Sequence, residues 1–414
     1  MSYVFVADDF TGASDTLATL ARGGCATRLF LDLPAPSDIA GLDAWGIATP
    51  ARALGRPAMA ALAARLGAGL AAGAPRFLHV KVCSTFDSSD ATGNIALLAQ
   101  GLADAAGIRD LAVIGGQPSL GRYAVFGTLF AAAPDGAVHR LDRHPVMSRH
   151  PVTPMHEADL LRHLAAIGLH GLTRVGGGAA GGAFPRFYDA LSQQDIAAAG
   201  RDLARAPGPV VVVGASSVAE AWLAARPRPA RGAAAPAKGL PPLTGPVLGF
   251  AGSRSSLTTA QVAAADGIAR LPVNPRDMLE GGAACAAADR WARERLARGL
   301  DCILYLTADH LGQIDPAELA RRSAEFVAGL FGCTDAGALV VAGGDTSSAI
   351  VARLAPDWLR HAGEVCAGVP ILSARRGGRE LPMVLKGGQM GGPDFFARAI
   401  DALRPCPVAA RPRA

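Results

Sequence analysis

Short apolar runs recur along the chain and alternate with stretches in which apolar residues have a helical spacing. The first run covers residues 3–7, and in the helical stretch over residues 13–22 Ala13, Leu17 and Leu20 share one face. Strands and helices that alternate in this way are typical of a mostly parallel sheet with helices on both faces. The pattern therefore predicts an α/β fold. Further strands are predicted at residues 25–31, 44–49, 77–82, 111–114, 210–213, 247–251, 302–306, 338–342 and 382–386, and further helices at 57–70, 93–105, 349–351 and 394–403.

The alternation is interrupted between residues 121 and 156. Apolar residues at 123–130 and 137–141 flank Pro134-Asp135-Gly136, a combination that is typical of a hairpin turn. Residues 140–154, which are rich in arginine, histidine and proline, come next. We expect a β-hairpin and then an ordered loop in this part of the chain.

A stretch rich in proline, alanine, arginine and glycine separates two α/β patterns. It has no hydrophobic periodicity, which is typical of a linker. A chain of 414 residues is also long enough for two domains. We therefore predict a first domain at residues 1–225, a linker at 226–245 and a second domain at 246–414. Each domain is expected to contain a mostly parallel sheet with helices on both faces.

The composition narrows the class of protein. Half of the chain is hydrophobic and small residues are abundant, which fits a closely packed core and excludes a disordered chain. No apolar run approaches the roughly 20 residues that cross a bilayer, and no basic segment followed by an apolar one opens the chain. The seven cysteines form no CxxC pair and are interpreted as free thiols. We expect a cytoplasmic protein with no secretory signal and no membrane-spanning segment.

Arginine carries almost all of the positive charge. The net charge is +5, and of the 40 lysines and arginines only Lys81, Lys238 and Lys386 are lysines. Lys81 and Lys386 each end a strand-like run, where a compact ammonium indicates a function that a planar guanidinium does not serve. Lys238 lies in the predicted linker and is interpreted as incidental. The arginines are dispersed and not interleaved with aromatic residues, so nucleic-acid binding is not expected.

Two adjacent acids follow the first predicted strand. Asp8 and Asp9 precede a turn of small residues and then a helix, which is the position at which α/β proteins place ligands. Taken alone, the pair is compatible with a metal site, a phosphatase nucleophile or a sugar clamp. The phosphatase motif spaces its acids by one residue, which weighs against that alternative. Asp15, placed in the first turn of the predicted helix, either binds a ligand or stabilises the helix dipole.

Other polar residues of the first domain suggest a small acid that carries several hydroxyl groups. Arginine pairs with carboxylates through two hydrogen bonds, and acids and hydroxyls can hold the hydroxyl groups. Cys83 has no evident histidine partner and is interpreted as a core residue. The histidines between 139 and 156 lack the spacing of a metal site, so no metal ligand is predicted. The candidate substrate-binding residues are Thr11, Asp15, Arg52, Lys81, Ser84, Asn94 and Arg122.

Three glycine- or serine-rich turns follow strands of the second domain, at residues 252–256, 342–348 and 386–392. Glycine lets the backbone approach a ligand closely, and a helix N-terminus behind the turn attracts an anion. Three such turns in one domain predict a nucleotide phosphate site. The chain has no P-loop motif and no suitably placed GxGxxG, which weighs against a P-loop protein and a dehydrogenase. The candidate nucleotide-binding residues are Ser253, Ser255, Gly343, Gly344, Asp345, Thr346, Lys386, Gly387, Gly388 and Gly391.

Several segments resemble the motifs of the four-carbon acid sugar kinase family, in the same order and over nearly the whole chain. The resemblance implies that the protein uses ATP to phosphorylate the terminal hydroxyl of threonate, erythronate or a 3-oxo-tetronate. It also implies that the N-terminal domain binds the acid sugar and that the C-terminal domain binds the nucleotide. Phe86-Asp87-Ser88 is closer to the 3-oxo-tetronate branch. The matching segments are VADDFTGASD at 6–15, KVCSTFDS at 81–88, GSRS at 252–255, GGDTS at 343–347 and KGG at 386–388.

The expected mechanism follows from this division between the domains. The three turns cradle ATP, and Mg²⁺ bridges its phosphates near Asp345. Arg52 or Lys81 binds the sugar carboxylate, and Asp8 or Asp9 accepts the proton of the attacking hydroxyl. We expect the active site in the interdomain cleft, which closes to exclude water. A homodimer is compatible with the sequence. The alternative functions are an NAD(P)-dependent dehydrogenase and a non-catalytic sensor of the same acids.

Overall fold

The structure is a computed structural model, and it describes residues 3–73, 75–133, 135–149, 153–175, 182–226, 239–308, 314–388 and 390–404. Contacts divide the chain into two compact units, Met1–Pro236 and Ala237–Ala414. The linker at 226–245 stays a prediction, because most of it lies outside the described residues. The interdomain cleft also stays a prediction.

The first unit alternates strands and helices, as the sequence predicts. Its strands are β1 (Tyr3–Ala7), β2 (Thr27–Phe30), β3 (Ala44–Ala48), β4 (Phe77–Lys81), β5 (Asp110–Ile114), β6 (Gly116–Gln117), β7 (Arg122–Val125), β8 (Thr128–Ala132), β9 (Val138–Arg140), β10 (Thr173–Val175), β11 (Arg186–Tyr188) and β12 (Val210–Gly214). Its helices are α1 (Phe10–Arg22), α2 (Pro36–Ile39), α3 (Arg56–Ala71), α4 (Ile95–Ala106), α5 (Leu160–Ala166), α6 (Gln193–Ala204) and α7 (Ser217–Ala225).

The main sheet of the first unit is parallel throughout, in the order β10-β11-β5-β12-β4-β1-β3-β2. The strands β1, β4 and β12 are buried along their whole length, as apolar runs covered on both faces should be. From β1 the chain crosses to β2, which lies on one side of β1 in the sheet. From β3 it crosses back over β1 to β4, which lies on the other side. Because such crossovers are right-handed, α1 and α3 lie on opposite faces. The strand order therefore reverses between β1 and β4, where α/β proteins bind ligands.

A small antiparallel sheet, β6-β7-β8-β9, lies between β5 and α5 in the chain. The prediction of a single strand over 123–130 was wrong, because Phe126 and Gly127 form a tight turn between β7 and β8. Their φ angles are 52° and 79°, and the Asp189 carboxylate accepts both of their backbone N–H groups, at 3.0 and 2.8 Å. A carboxylate contributed by a distant segment thus fixes a turn that has no strong local signal.

The second unit begins a new alternation of strands and helices. Its strands are β13 (Val247–Ala251), β14 (Ala269–Val273), β15 (Cys302–Leu306), β16 (Ala338–Ala342), β17 (Trp358–Cys366), β18 (Val369–Arg376) and β19 (Arg379–Lys386). Its helices are α8 (Ser256–Ala263), α9 (Pro275–Glu280), α10 (Gly282–Ala297), α11 (Pro316–Gly332), α12 (Gly344–Leu354) and α13 (Phe395–Leu403).

The sheet of the second unit has the order β17-β18-β19-β16-β13-β15-β14. The strands from β19 to β14 are parallel, whereas β17, β18 and β19 pair antiparallel. The strands β17 and β18 are absent from the sequence prediction: charged residues interrupt β17, whereas β18 is a buried run that contains Pro370 and Ser373. The strand order reverses between β13 and β16, so a ligand site is again expected at their carboxyl ends. The predicted α/β class is confirmed in both units.

Two helices begin earlier than predicted. Asp9 caps α1, so this helix starts at Phe10 rather than at residue 13, and α12 starts at Gly344 rather than at residue 349. Both polar motifs therefore belong to helix N-termini rather than to loops in front of helices. None of the helices in the described part of the chain is long and apolar enough to span a bilayer.

Candidate active site

The loops after β1 and β4 meet where the strand order of the first sheet reverses. Ala7 and Lys81 are register partners, and the backbone N–H of Asp8 donates to the Lys81 carbonyl at 3.0 Å. Asp9 then caps α1, because its Oδ1 accepts a hydrogen bond from the backbone N–H of Gly12 at 2.8 Å. Both acids and the rare lysine thus lie at the same edge of the sheet, as predicted.

Arg52 joins the two acids. Its Nε and Nη2 donate to the two carboxylate oxygens of Asp8 at 3.1 and 2.8 Å, and its Nη1 donates to Asp9 Oδ2 at 2.8 Å. Pairing of this kind fixes geometry as well as charge. Arg52 therefore commits three of its five N–H donors to protein acids. It holds the acids in place and keeps two donors for a ligand, fewer than an unengaged arginine offers.

Burial and charge change the acidity of this cluster. Asp8 is 5% exposed, and burial raises its pKa from 3.8 to about 6, against the opposing effect of Arg52. Burial alone would lower the pKa of Arg52, but Asp8 and Asp9 raise it above its usual value. Arg52 stays charged, whereas Asp8 takes up a proton more readily than an exposed aspartate does.

Lys81 is a buried ammonium that forms no direct ion pair in the part of the chain that the structure describes, although its charge acts on nearby Asp8. It is 4% exposed, and its Nζ donates to the Val82 carbonyl at 2.8 Å. A Cβ on Gly12 would lie 2.5 Å from this Nζ, so the ammonium sits directly against the first turn of α1. A buried charge with unused donors is costly unless an anion pairs with it. Lys81 is therefore suited to bind an anionic group.

Asp15 occupies a different place from the predicted one. Because α1 begins at Phe10, Asp15 lies in its second turn, and the interpretation as an acid in the first turn was wrong. The Asp15 carboxylate accepts a hydrogen bond from Ser216 Oγ, and this oxygen lies 3.2 Å from Thr16 Oγ1. Asp15 thus links α1 to the start of α7.

The remaining substrate-binding candidates are spread more widely. Thr11 is exposed in the first turn of α1 and Ser84 is half-buried after β4; neither hydroxyl bonds to a described residue. Asn94 is buried and caps α4, and its amide donates to a backbone carbonyl at 3.1 Å. Arg122 lies in β7 and donates to a carbonyl two residues away. Asn94 thus has a structural task, and the ligand roles of all four residues stay predictions.

The second unit repeats the geometry of the first with different side chains. Ala342 and Lys386 are register partners in β16 and β19, and the backbone N–H of Gly343 donates to the Lys386 carbonyl at 2.9 Å. Glycines stand here where the first unit has acids. In both units, a lysine that ends one strand lies beside the helix N-terminus that follows the neighbouring strand.

The three predicted turns of the second domain come together. The backbone N–H groups of Gly252 and Ser253 both donate to the Ala342 carbonyl at 2.9 Å. Ser255 Oγ donates to the Gly388 carbonyl at 2.8 Å. A Cβ on Gly388 would lie 2.4 Å from Ser253 Oγ, so the third turn passes close to the Ser253 side chain of the first.

Lys386 lies at the centre of these turns. It is 2% exposed, and its Nζ lies 3.3 Å from Thr258 Oγ1, 3.2 Å from the Gly387 carbonyl and 5.2 Å from the centre of the Phe395 ring. No described carboxylate pairs with it, and burial lowers its pKa from 10.5 to about 8. An ammonium in such a place would be stabilised by a bound phosphate.

The N-terminus of α12 has no side-chain cap. Gly343, with φ of 134°, precedes the helix, so the first-turn N–H groups are available to a ligand anion. Asp345 is exposed in this turn, whereas Thr346 and Ser347 are buried. Ser347 Oγ has no hydrogen-bond partner among the residues that the structure describes. The donor set around Lys386 and α12 therefore fits the phosphates of a nucleotide.

Sequence reasoning missed two residues of α8, Thr258 and Gln261. Thr258 Oγ1 bonds to the Gly388 carbonyl at 3.1 Å, and Gln261 Nε2 lies 3.0, 3.2 and 2.9 Å from the carbonyls of Met390, Gly391 and Gly392. Thr258 could have been found, because it follows a serine that caps the helix. No local signal marks Gln261, whose partners lie far along the chain.

The histidine- and arginine-rich segment contributes no metal site to the described part of the chain. No group of three or more His, Cys, Asp or Glu side chains is gathered there as metal ligands would be. The rings of His139 and His144 pack edge to face at 6.0 Å, and His150 lies outside the described residues.

Comparisons with known proteins match two segments of the chain to two different kinds of domain. Residues 3–222 match a sugar-binding N-terminal domain and residues 248–396 a nucleotide-binding C-terminal domain. A 3-oxo-isoapionate kinase of Paraburkholderia graminis is 35% identical, and the match covers 95% of this chain and 92% of that protein. A 3-oxo-tetronate kinase of Methylobacterium radiotolerans is 34% identical, with 96% and 98% covered. The chain belongs to the four-carbon acid sugar kinase family.

As a member of this kinase family, the protein is a transferase that uses ATP and acts on a hydroxyl group of a small molecule. Two solved structures share its fold over 96% of the chain and 98% of theirs, each with 23% identity. One is a Salmonella typhimurium protein described as a tRNA synthase, with a TM-score of 0.79, and the other is a Haemophilus influenzae protein, with a TM-score of 0.70. At this identity they show the fold alone.

Replacing Gly388 of the kinase with alanine should weaken ATP binding. The new Cβ would lie 2.4 Å from Ser253 Oγ and would displace this hydroxyl from its hydrogen bonds with Ser255. We expect the KM for ATP to rise by roughly tenfold or more and the KM for the acceptor to change little. Steady-state kinetics with each substrate varied in turn measures both values.

Gly329→Ala is the matched control for this variant. Gly329 lies in α11 with nothing within 4 Å of an added Cβ, and alanine favours a helix by about 1 kcal/mol over glycine. The control should keep the normal KM for ATP. An equal rise in the KM for ATP in Gly388→Ala and Gly329→Ala would contradict the role given to Gly388.

Proposed function

We propose that this kinase transfers the γ-phosphoryl group of ATP to the terminal hydroxyl of a four-carbon 3-oxo acid, a 3-oxo-tetronate. The observation that carries the proposal is the cluster of Asp8, Asp9, Arg52 and Lys81 at the switch point of the first sheet. It combines two acids, which accept hydroxyl protons, with a buried ammonium that has no carboxylate partner among the described residues. A hydroxy acid offers the complementary groups.

The roles within this cluster follow from the hydrogen bonds already made. Lys81 binds the substrate carboxylate, because Arg52 is engaged with both protein acids. Asp8 accepts the proton of the attacking hydroxyl, since burial brings its pKa to about 6. Asp9 orients the substrate hydroxyls while it caps α1. The free hydroxyls of Thr11 and Ser84 donate to the oxo group, which can only accept hydrogen bonds.

The second domain supplies the nucleotide site. Lys386 and the first-turn N–H groups of α12 bind phosphate oxygens, and Ser253 and Ser255 hold the neighbouring turn in place. Gly343, Gly344, Thr346, Gly387, Gly388 and Gly391 shape this cradle. Mg²⁺, when bound, neutralises charge on the phosphates. Asp345 is exposed at the helix start and would hold it directly or through water.

The names of the relatives favour a 3-oxo acid but not one carbon skeleton. One relative is a 3-oxo-isoapionate kinase and several others are 3-oxo-tetronate kinases, at 35% and 34% identity for the two examples above. Sequence identities this similar do not discriminate between the two substrates. We propose 3-oxo-tetronate, because Phe86-Asp87-Ser88 is closer to that branch of the family.

A coupled ADP-release assay tests the proposal. The acceptors are 3-oxo-tetronate, 3-oxo-isoapionate and the D and L forms of threonate and erythronate, each with ATP, with and without Mg²⁺. We expect the highest kcat/KM with a 3-oxo acid and no ADP release without Mg²⁺. A phosphate ester on the terminal carbon, identified by ³¹P NMR, confirms the position. ADP release with none of the acids would overturn the proposal.

Two controls separate the alternative functions. Appearance of NAD(P)H fluorescence with the same acids would indicate the dehydrogenase, and tight binding of an acid by calorimetry without ADP release would indicate the sensor. The homodimer and the cytoplasmic location stay predictions, and light scattering after gel filtration measures the first.

A further inference from the structure

The loop after β4 contains a phenylalanine in a strained backbone conformation. Phe86 has a φ of 55° and its side chain is fully buried. A non-glycine residue with such an angle is uncommon, and a bulky one persists only when its surroundings hold it there. Its backbone N–H closes a turn on the Cys83 carbonyl at 3.0 Å. This turn places Ser84 at its corner, two residues after Val82.

A buried carboxylate holds the loop from one side. Asp87 is 5% exposed and accepts hydrogen bonds from Thr85 Oγ1 at 2.5 Å and from Thr153 Oγ1 at 3.3 Å. It forms no ion pair with any cation in the part of the chain that the structure describes. A buried carboxylate is costly unless donors hold it, so the two threonine hydroxyls keep Asp87 in place inside the loop.

The hydrogen bonds on this side form a chain with a fixed direction. Because a carboxylate can only accept, Thr85 donates to Asp87 and its oxygen is left to accept the thiol proton of Cys83, whose Sγ lies 2.9 Å away. Burial, and then the nearby Asp87 charge, raise the pKa of the Cys83 thiol to about 11, while Arg52 opposes them. Cys83 therefore lies between the loop anchor and the arginine of the acid cluster.

A histidine holds the loop from the other side. His163 Nε2 on α5 lies 3.1 Å from the Phe86 carbonyl and 3.3 Å from Ser88 Oγ. Since the carbonyl can only accept, Nε2 carries the proton. Phe86 is thus held through its own carbonyl, through Thr85 before it and through Asp87 and Ser88 after it.

We propose that Thr85 and Asp87 are positioning residues of the acceptor site, which hold the Cys83–Phe86 turn so that Ser84 and the adjacent Lys81 meet the acid sugar. The proposal rests on the proposed function, in which the first domain binds the acid. The anchoring groups face the inside of the loop, and the Ser84 hydroxyl is left without a described partner. The anchor therefore acts on the substrate through the geometry of the turn and not by contact.

Thr85→Val and Thr85→Ser form a matched pair for the test. Valine keeps the branched shape and removes the hydroxyl, whereas serine keeps the hydroxyl and removes a methyl group. We expect Thr85→Val to raise the KM for the acid sugar by about tenfold, because the turn that carries Ser84 is misplaced, and to leave the KM for ATP unchanged. Thr85→Ser should restore the normal value. A lower melting temperature in Thr85→Val with a normal KM for the acid would overturn the proposal.

Alkylation of Cys83 in the unaltered protein gives a readout that does not depend on any variant. Peptide mapping by mass spectrometry measures the rate of alkylation at Cys83, which is half-buried. Saturating acid sugar should slow this alkylation by about tenfold, whereas ATP should not. An unchanged rate with the acid would also overturn the proposal. In Asp87→Asn, loss of the neighbouring negative charge should make alkylation at pH 8 several-fold faster.

These outcomes are separate from those of the proposed function. If the unaltered protein releases no ADP with any of the acids, the proposed function fails. If it is active, but Thr85→Val keeps a normal KM for the acid or the acid does not protect Cys83, only the positioning role fails.

Discussion

Replacing Lys386 with methionine is expected to lower kcat/KM for ATP by about 10²- to 10³-fold while the protein stays folded. The ammonium is 2% exposed, has no described carboxylate partner and lies at the meeting point of three glycine-rich turns. Its charge is therefore compensated when phosphate binds. Methionine has a similar length and no charge, so it removes the interaction with little change in packing.

The stability of this variant distinguishes a binding role from a structural one. Removing an unpaired buried charge in favour of an apolar side chain is usually neutral or stabilising. We therefore expect the melting temperature of Lys386→Met to be unchanged or higher in the absence of ATP. ATP should raise the melting temperature of the unaltered protein but not that of the variant. A variant that is strongly destabilised without nucleotide would contradict this role.

The pH dependence gives a second measurement on the same lysine. Burial lowers the pKa of Lys386 to about 8 in the free protein, so the ammonium is lost as the pH rises through that value. We expect kcat/KM for ATP to fall above about pH 8, and this fall to be missing in Lys386→Met. Lys238→Met, which changes the lysine of the predicted linker, is the control and should behave as the unaltered protein does.

Replacing Asp8 with asparagine is expected to lower kcat by about 10²- to 10⁴-fold, the usual contribution of a general base. Asparagine keeps the size of the side chain and can still accept a hydrogen bond from Arg52, but it cannot accept the hydroxyl proton. Steady-state kinetics with a saturating acid sugar measures the loss. The KM for ATP should be little changed, because Lys386 and the turns belong to the other unit.

Asp9→Asn is the matched comparison for Asp8. Its amide oxygen can still cap α1 through the Gly12 N–H, so the helix start should survive. We expect mainly a higher KM for the acid sugar and a smaller loss of kcat than in Asp8→Asn. Near-normal turnover in Asp8→Asn, together with a large loss in Asp9→Asn, would show that the roles are reversed.

The pH dependence of kcat/KM for the acid gives an independent test of Asp8 as the base. Burial raises the pKa of Asp8 to about 6, and a base works only when it is deprotonated. We therefore expect kcat/KM for the acid to fall as the pH drops through about 6. The residual activity of Asp8→Asn should lack this fall. A profile that is flat between pH 5 and pH 7 in the unaltered protein would contradict Asp8 as the base.

Much of the fold could be predicted because local pattern decides it. The buried parallel strands read as uninterrupted apolar runs, as β1 and β12 do, and their helices follow at a regular spacing. The prediction failed at β17, where charged residues break the apolar pattern, and at β18, whose apolar run contains Pro370 and Ser373. It also failed in the small sheet, where a distant carboxylate, Asp189, stabilises the turn at Phe126.

For the candidate site, too, local motifs could be predicted from the sequence, whereas contacts between distant residues could not. The sequence by itself determined that acids follow β1, that rare lysines end β4 and β19, and that glycine-rich turns follow strands of the second domain. Each of these is a short motif at a strand end, where the carboxyl edge of a parallel sheet exposes it. The assignment to a kinase family rests on the same motifs.

Only the tertiary structure decided which of these groups share a site and which are already occupied. Arg52 reaches Asp8 across 44 residues of sequence, Lys386 reaches Thr258 across 128, and Ser216 reaches Asp15 across 201. Such pairs depend on the order of strands in the sheet, which hydrophobic periodicity does not encode. For this reason the sequence could nominate Arg52 as a ligand for the substrate, but only the fold showed that its donors already hold the two acids.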